Sequence, residues 1–150
     1  MGLLSDIGAG PLGLDSAIFI YYMEENPRYL PLVDLIFDAV IEGRLTVATS
    51  ALTLLETQVV PLRAGNEVLA RQYERFLTRS ESLRLVPIDH GLLRAAAHVR
   101  ATTRLKTPDA LHVAAALSAD CPVFLTNDGR IPSLPGLRVL QLEDYAKPSA

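Results

Sequence analysis

The chain has 150 residues, 49% of them hydrophobic and 21% charged, with a formal charge of −3. That is the composition of one ordinary globular domain, long enough to bury roughly two-thirds of its unfolded surface. A slightly acidic chain exerts no general pull on polyanions, so any nucleic-acid contact has to come from a local patch. The lone Cys121 excludes an intramolecular disulfide and suits a reducing compartment. No uncharged apolar run reaches membrane-spanning length, and the start, Met1-Gly-Leu-Leu-Ser-Asp, lacks the basic region of a signal peptide. The expectation is a cytoplasmic protein.

Residues 1–10 read as a flexible extension and 11–150 as a single domain. A short strand reaches about Leu14, and Ser16 to about Glu24 reads as a helix. Asn26-Pro27 starts a second helix, which Gly43 ends. Leu45–Ala48 is the second strand, and Ser50 opens a helix that stops near Pro61-Leu62-Arg63. Asn66 caps a polar helix to about Arg79, with Arg71, Arg75 and Arg79 on one face. That stripe is either a solvated face or an RNA-backbone patch. Leu83–Ile88 is a third strand, and Asp89 caps a helix ending near Leu105. Thr107 caps the next, with Pro108 at its first position. Cys121–Thr126 and Leu137–Leu142 are the fourth and fifth strands, joined by a Pro/Gly-rich loop over 129–136. Strands alternating with helices predict a three-layer α/β/α fold around a mainly parallel sheet of four to five strands. Ligands in such sheets bind beyond the carboxyl ends of the strands.

Four acids have little structural reason for their positions: Asp15 after the first strand, Glu56 inside an apolar helical stretch, Asp109 opening a helix, and Asp128 closing the fourth strand. Each has a bland alternative. Asp15 is a natural helix cap, Asp109 a first-turn acid favoured by the helix dipole, and Asp128 part of an Asn-Asp-Gly turn. Glu56 is harder to dismiss. Its helical neighbours are Leu52, Thr53, Val59 and Val60, and a buried carboxylate is costly unless neutralised, paired or bound to metal. An arginine salt bridge is its structural alternative. Carboxylates brought together repel by roughly 4 kcal/mol per pair at 4 Å for an effective dielectric near 20. A cluster of them therefore calls for a hard cation and the phosphate chemistry it supports.

Other chemistries find little support. No HExxH or CxxC gives His90 or His98 a metal spacing, and no glycine-rich nucleotide loop occurs. Ser16 and Ser50 have no histidine at a recognisable catalytic distance. His112, one turn after Asp109, reads as a satisfied, partly buried side chain that could also face the site.

Taken together, Leu14-Asp15-Ser16-Ala17-Ile18, Thr49-Ser50-Ala51-Leu52-Thr53-Leu54-Leu55-Glu56, Thr107-Pro108-Asp109-Ala110-Leu111-His112 and Phe124-Leu125-Thr126-Asn127-Asp128 resemble the PIN-domain family, and within it the VapC-type toxins of prokaryotic toxin–antitoxin pairs. The resemblance runs from about residue 12 to 145. It implies Mg²⁺ or Mn²⁺ dependence, endoribonuclease activity on RNA, frequent homodimers and a cognate antitoxin protein that blocks the site. Carried over by position, Asp15, Glu56, Asp109 and Asp128 are the metal-binding and catalytic acids, with Thr126 as a polar supporter. Asn127 stands where some relatives carry a further acid.

On that resemblance, Asp15 and Asp109 hold the principal cation, and Asp128 and Glu56 complete the site directly or through water. Arg100, Arg104 and Lys106, which precede Asp109, are either guides for the RNA backbone or a solvated helix end favoured by the dipole. The rival is a non-catalytic protein- or RNA-binding domain whose acids are caps and whose Glu56 is ion-paired. The run Ile18–Met23 is apolar all round a helix, leaving a surplus for either the core or a dimer or antitoxin groove.

Overall fold

The computed structural model describes residues 2–146, so residues 147–150 of the expected domain lie outside the described residues. In chain order the elements are α1 (Leu3–Ile7), β1 (Leu12–Leu14), α2 (Ser16–Met23), α3 (Leu30–Ile41), β2 (Val47–Ser50), α4 (Leu52–Arg63), α5 (Glu67–Arg79), β3 (Leu83–Val86), α6 (His90–Thr102), α7 (Thr107–Ser118), β4 (Val123–Thr126), β5 (Arg138–Gln141) and a closing 3₁₀ turn, Leu142–Tyr145.

The five strands form one sheet in the order β3-β2-β1-β4-β5, and every pairing is parallel. The chain builds outward from β1 through β2 to β3, then returns to the other side of β1 as β4. The strand order therefore reverses between β1 and β4, where an open parallel sheet forms its ligand crevice.

Side-chain alternation divides the interior into two cores. Leu12, Leu14, Val47, Val123 and Leu125 face one side, against α2, α3 and Leu77 of α5. Ala48, Val86 and Phe124 face the other, against α6 and α7. On the first side Tyr22 stacks on Phe37 at 4.3 Å between ring centroids.

Helix α7 packs closely on the sheet at Gly13, and the sequence shows why. Its inner face is Ala110, Ala114, Ala115 and Ala116 with Val113, all buried. Opposite lies Gly13, where an added Cβ would stand 2.6 Å from the Ala116 Cβ and 2.9 Å from the Phe124 ring. Small residues on both surfaces allow this approach, and it carries the first turns of α7 to the end of β1.

Three expectations need correction. Of the expected extension, Met1 lies outside the described residues and residues 2–10 are not loose: α1 buries Leu3 and Ile7 in the first core, and the Tyr145 hydroxyl donates to Asp6 at 2.5 Å. A five-residue helix has too few turns to display a period in the sequence. Asn26 does not start a helix. Its side chain accepts from the Arg28 and Tyr29 amides at 3.0 and 3.3 Å and shapes a turn, and α3 begins at Leu30 with Pro31 in its first turn. Thr107 is no cap either. It is already helical, and its hydroxyl accepts from Arg100 at 3.1 Å. Asn66 and Asp89 do cap, accepting from the Leu69 and Leu92 amides.

Candidate functional site

Asp15 leaves the carboxyl end of β1 at the N-cap position of α2, yet its side chain makes no capping hydrogen bond. It turns inward and is only 8% exposed. The Thr126 hydroxyl, at the end of β4, donates to Asp15 Oδ2 while accepting from the Asp128 amide at 3.0 Å. Asp15 Oδ1 is buried and makes no hydrogen bond of normal geometry. Burial, with a smaller push from the Asp109 charge, raises the Asp15 pKa to about 6, against the Thr126 hydrogen bond, the nearby His112 and the Ile18 backbone amide, which lower it.

Asp109, in the first turn of α7, is brought to the same place by the close helix–sheet contact. Partial burial raises its pKa, and the charge of Asp128 adds to the rise. Asp128 itself is drawn the other way. Arg130 donates to its two oxygens at 2.9 and 2.7 Å and holds its pKa down. Asp15, Tyr21, Asp109, Asn127, Asp128 and Gly129 line one depression of about 370 Å³. A roomier hollow of about 580 Å³, lined by Pro27, Arg28, Pro31, Leu32, Tyr145 and Ala146, shares no residue with this depression.

Glu56 departs from expectation. No arginine meets it; the buried His112 Nε2 lies 2.6 Å from its Oε1, and His112 Nδ1 lies 3.3 Å from Ser50 Oγ. Burial would raise the Glu56 pKa, but the His112 hydrogen bond and charge, aided by the Ser16 hydroxyl, outweigh it and lower the value. Nor does Glu56 interrupt a buried apolar face. Helix α4 turns Thr53, Thr57 and Pro61 inward and leaves Leu55, Val60 and Leu62 exposed. Thr53 can face inward because its hydroxyl meets that of Thr49 at 2.6 Å. Thr57 does so by donating to the Thr53 carbonyl at 2.8 Å.

Thus Asp15, Asp109, Asp128 and Thr126 share one site, and Glu56 stands at its flank, engaged with His112. Among the described residues no three His, Cys, Asp or Glu side chains enclose a position that could hold a metal ion. The donors still suit Mg²⁺, which is commonly held by one or two carboxylates and keeps several waters. Asp15 Oδ1 makes no hydrogen bond of normal geometry, and the Ile18 amide interacts with the carboxylate only weakly enough to offset part of its burial, so a carboxylate oxygen is left for a cation.

Arg130 as the partner of Asp128, and Tyr21 beside the acids, are not expected from the sequence; His112 and Asn127 are expected near the site, but not the pairing of His112 with Glu56. The Asn127 amide donates to the Tyr21 hydroxyl at 3.3 Å and its oxygen accepts from the Glu143 amide at 2.8 Å, tying the β4 loop to the 3₁₀ turn. The spacing of Arg130, two residues after Asp128, was the available signal. His112, three residues after Asp109, lies on the same helical face.

A five-stranded parallel α/β sheet with carboxylates gathered at its reversal point defines an α/β protein with an acidic, cation-suited crevice. The chain belongs to the PIN-domain family: residues 13–137 match the PIN domain. No curated protein matches it in sequence. Three solved structures share its fold at low identity. VapBC2 from Rickettsia felis, bound to a promoter DNA fragment, is 16% identical with a TM-score of 0.66, over 87% of this chain and 97% of that one. Mycobacterium tuberculosis VapC20, a toxin that cleaves the sarcin-ricin loop, is 15% identical with a TM-score of 0.64, over 79% and 90%. A toxin–antitoxin complex from Klebsiella pneumoniae is 18% identical with a TM-score of 0.60, over 84% and 93%.

Proposed function

We propose that this protein is a metal-dependent endoribonuclease, the toxin of a type II toxin–antitoxin pair. The observation that carries the reading is the buried Asp15 carboxylate, one oxygen of which makes no hydrogen bond of normal geometry, in the lining of a depression shared with Asp109 and Asp128. A folded protein leaves such an atom unsatisfied at a cost of about 1–3 kcal/mol or more, and a cation recovers it. Family membership and the resemblance to VapC20 support RNA as the substrate.

Asp15 and Asp109 would be the principal ligands, with Thr126 fixing the Asp15 carboxylate by donating to its other oxygen, and Asp128 would complete the set if its pairing with Arg130 opened. Glu56, held by His112, acts from the flank through water. Bound Mg²⁺ or Mn²⁺ supplies charge neutralisation at the phosphodiester and a water of lowered pKa. Tyr21 and Asn127 border the crevice where the substrate strand enters.

The partner surface we assign is α4 with the start of α5, and it is not the Ile18–Met23 run. In that run Ile18 and Phe19 are core, and Tyr21 and Tyr22 pack against it. Leu55, Val60, Leu62 and Val68 are instead 54–67% exposed, an apolar surplus suited to an antitoxin or a second copy. Light scattering that finds a strict monomer at high concentration removes the homodimer. Among the described residues no helix is long and apolar enough to cross a membrane.

The decisive experiment is RNA cleavage in Mg²⁺ or Mn²⁺. Asp15→Asn is expected to lower it by at least the 10²–10³-fold typical of removing one preorganised electrostatic group, and EDTA to abolish it reversibly. Equal cutting in EDTA overturns the reading. A second reading, a non-catalytic binding domain, is favoured by the existing pairing of Glu56 with His112 and Asp128 with Arg130. It gains if millimolar Mn²⁺ leaves the melting midpoint unmoved, since a cation bound by the folded state raises that midpoint by mass action.

A further inference from the structure

Beside the acidic crevice lies a second depression of about 420 Å³, lined by Arg104, Leu105, Lys106, Asp109 and Arg130. Asp109 borders both hollows, so an acidic compartment and a basic one meet at a single residue. The three basic side chains are exposed, but their surroundings differ. The side chains of Arg104 and Lys106 make no hydrogen bond or ion pair among the described residues, although they share the depression with Asp109. Arg130 is engaged with Asp128, and its own side chain is 74% exposed. Exposed pairs of this kind contribute little and exchange readily.

Arg100, grouped with these residues on sequence grounds, has a different task. It donates to the Leu105 carbonyl and the Thr107 hydroxyl, both at 3.1 Å. That clamp fixes the link between α6 and α7 and turns Arg104 and Lys106 outward on either side of the buried Leu105.

We propose that this basic depression is a phosphate subsite, which takes the backbone phosphate of a nucleotide flanking the bond to be cut. Arg104 and Lys106 are its standing cations. Arg130 is the third: it gives up Asp128 when a cation or substrate arrives and turns its guanidinium fork to the phosphate, whose geometry it matches as well as a carboxylate's. The subsite rests on the nuclease reading above and adds direction to it, since a strand must cross Asp109 to occupy both compartments. The exposed arginines of α5, Arg71, Arg75 and Arg79, belong to a different surface and take no part.

The test is a fluorescence-anisotropy titration of a short labelled oligouridylate in EDTA, where no metal-dependent cutting intervenes. Arg104→Gln/Lys106→Gln is expected to weaken binding several-fold. It should also flatten the slope of log K against log salt by about 0.7 for each phosphate no longer neutralised. Arg130→Gln weakens binding as well, and unchanged affinity there overturns the exchange. Arg71→Gln/Arg75→Gln removes the same charge from α5 and is expected to bind like the wild type. All these positions are exposed, and melting curves confirm folding before the titration. Unchanged binding by the first double variant overturns the subsite, as does equal weakening by the α5 pair. Displacement by poly-glutamate as effective as by unlabelled oligouridylate overturns it too, by showing a general anion patch. A wild type that binds but never cuts in Mn²⁺ ends the nuclease reading and leaves the subsite standing. A double variant that binds normally while the wild type cuts ends only the subsite.

Discussion

The two ends of the sheet are built from different materials. At the amino end Leu12, Val47, Leu83 and Val123 meet Leu3 and Ile7 of α1 and Leu45, all buried and apolar. At the carboxyl end the chain buries Asp15, Thr49, Ser50 and Thr126, with Thr53 and Thr57 from α4 and His112 from α7. Apart from the Tyr73 hydroxyl, which meets Glu24, these are the buried polar or charged side chains among the described residues. Apart from Asp15 Oδ1, their side-chain polar atoms are satisfied. Leu14, Val86 and Leu125 carry the apolar core to the carboxyl end as well, but only there does the fold add a buried polar network, one that leaves a carboxylate oxygen open.

The contrast predicts mutational effects of opposite sign at the two ends. The largest is at the amino end. Ile7→Ala removes a buried side chain and should cost about 2–5 kcal/mol, read as a lower urea midpoint, with cleavage per folded molecule unchanged. A change below about 1 kcal/mol, well short of a buried-residue truncation, would mean that α1 does not belong to the core.

Next in size, and opposite in direction, is Asp15→Asn. The folded Asp15 pKa of about 6 lies above its unfolded value, so the wild type is most favoured below the unfolded pKa and loses stability as pH rises through 6. The gap from the ordinary 3.8 corresponds to roughly 3 kcal/mol above pH 6. Asparagine avoids that loss, so the metal-free variant should melt higher than wild type at pH 7 and equally at pH 4. Millimolar Mg²⁺ should reverse the order at pH 7. Asp109→Asn should move the same way by less, because Asp109 is only half-buried. An Asp109→Asn protein that is less stable in EDTA at pH 7 would make that residue a dipole-favoured acid and no part of the cluster.

Gly13→Ala examines the joint between the two ends. The new methyl would meet Ala116 and Phe124 inside 3 Å, and such overpacking costs about 1–3 kcal/mol. It should also push α7 outward, carrying Asp109 from Asp15 and weakening the Mn²⁺-induced rise in melting temperature. If stability falls while that rise stays intact, α7 does not set the site geometry. Smallest is Asp128→Asn, which removes the exposed pairing with Arg130. Because the folded Asp128 pKa lies below its ordinary value, the stability it contributes is present above the unfolded pKa and lost as pH falls through the folded one. Salt should erase the difference.

Most elements were legible because their signals are local. Asn66 and Asp89 cap as their side chains dictate, and the β-branched run at Val47 and the apolar run at Val123 became central strands. Less legible was α4, where hydrophobicity points outward. Thr53 and Thr57 could be buried only because Thr49 and the helix backbone satisfy their hydroxyls, partners that no hydropathy pattern reveals. Helix α1 was missed because two buried residues one turn apart make no period.

By itself the sequence determined the alternation of strands and helices and the placing of Asp15, Asp109, Asp128 and Thr126 at element ends, since propensity, capping and turn chemistry act over a few residues. The states of those acids were settled only by the tertiary structure. Burial raises Asp15, Arg130 holds Asp128 down, and His112 takes Glu56. Desolvation and charge pairing depend on which distant segments meet, and here the meeting depends on α7 lying against Gly13.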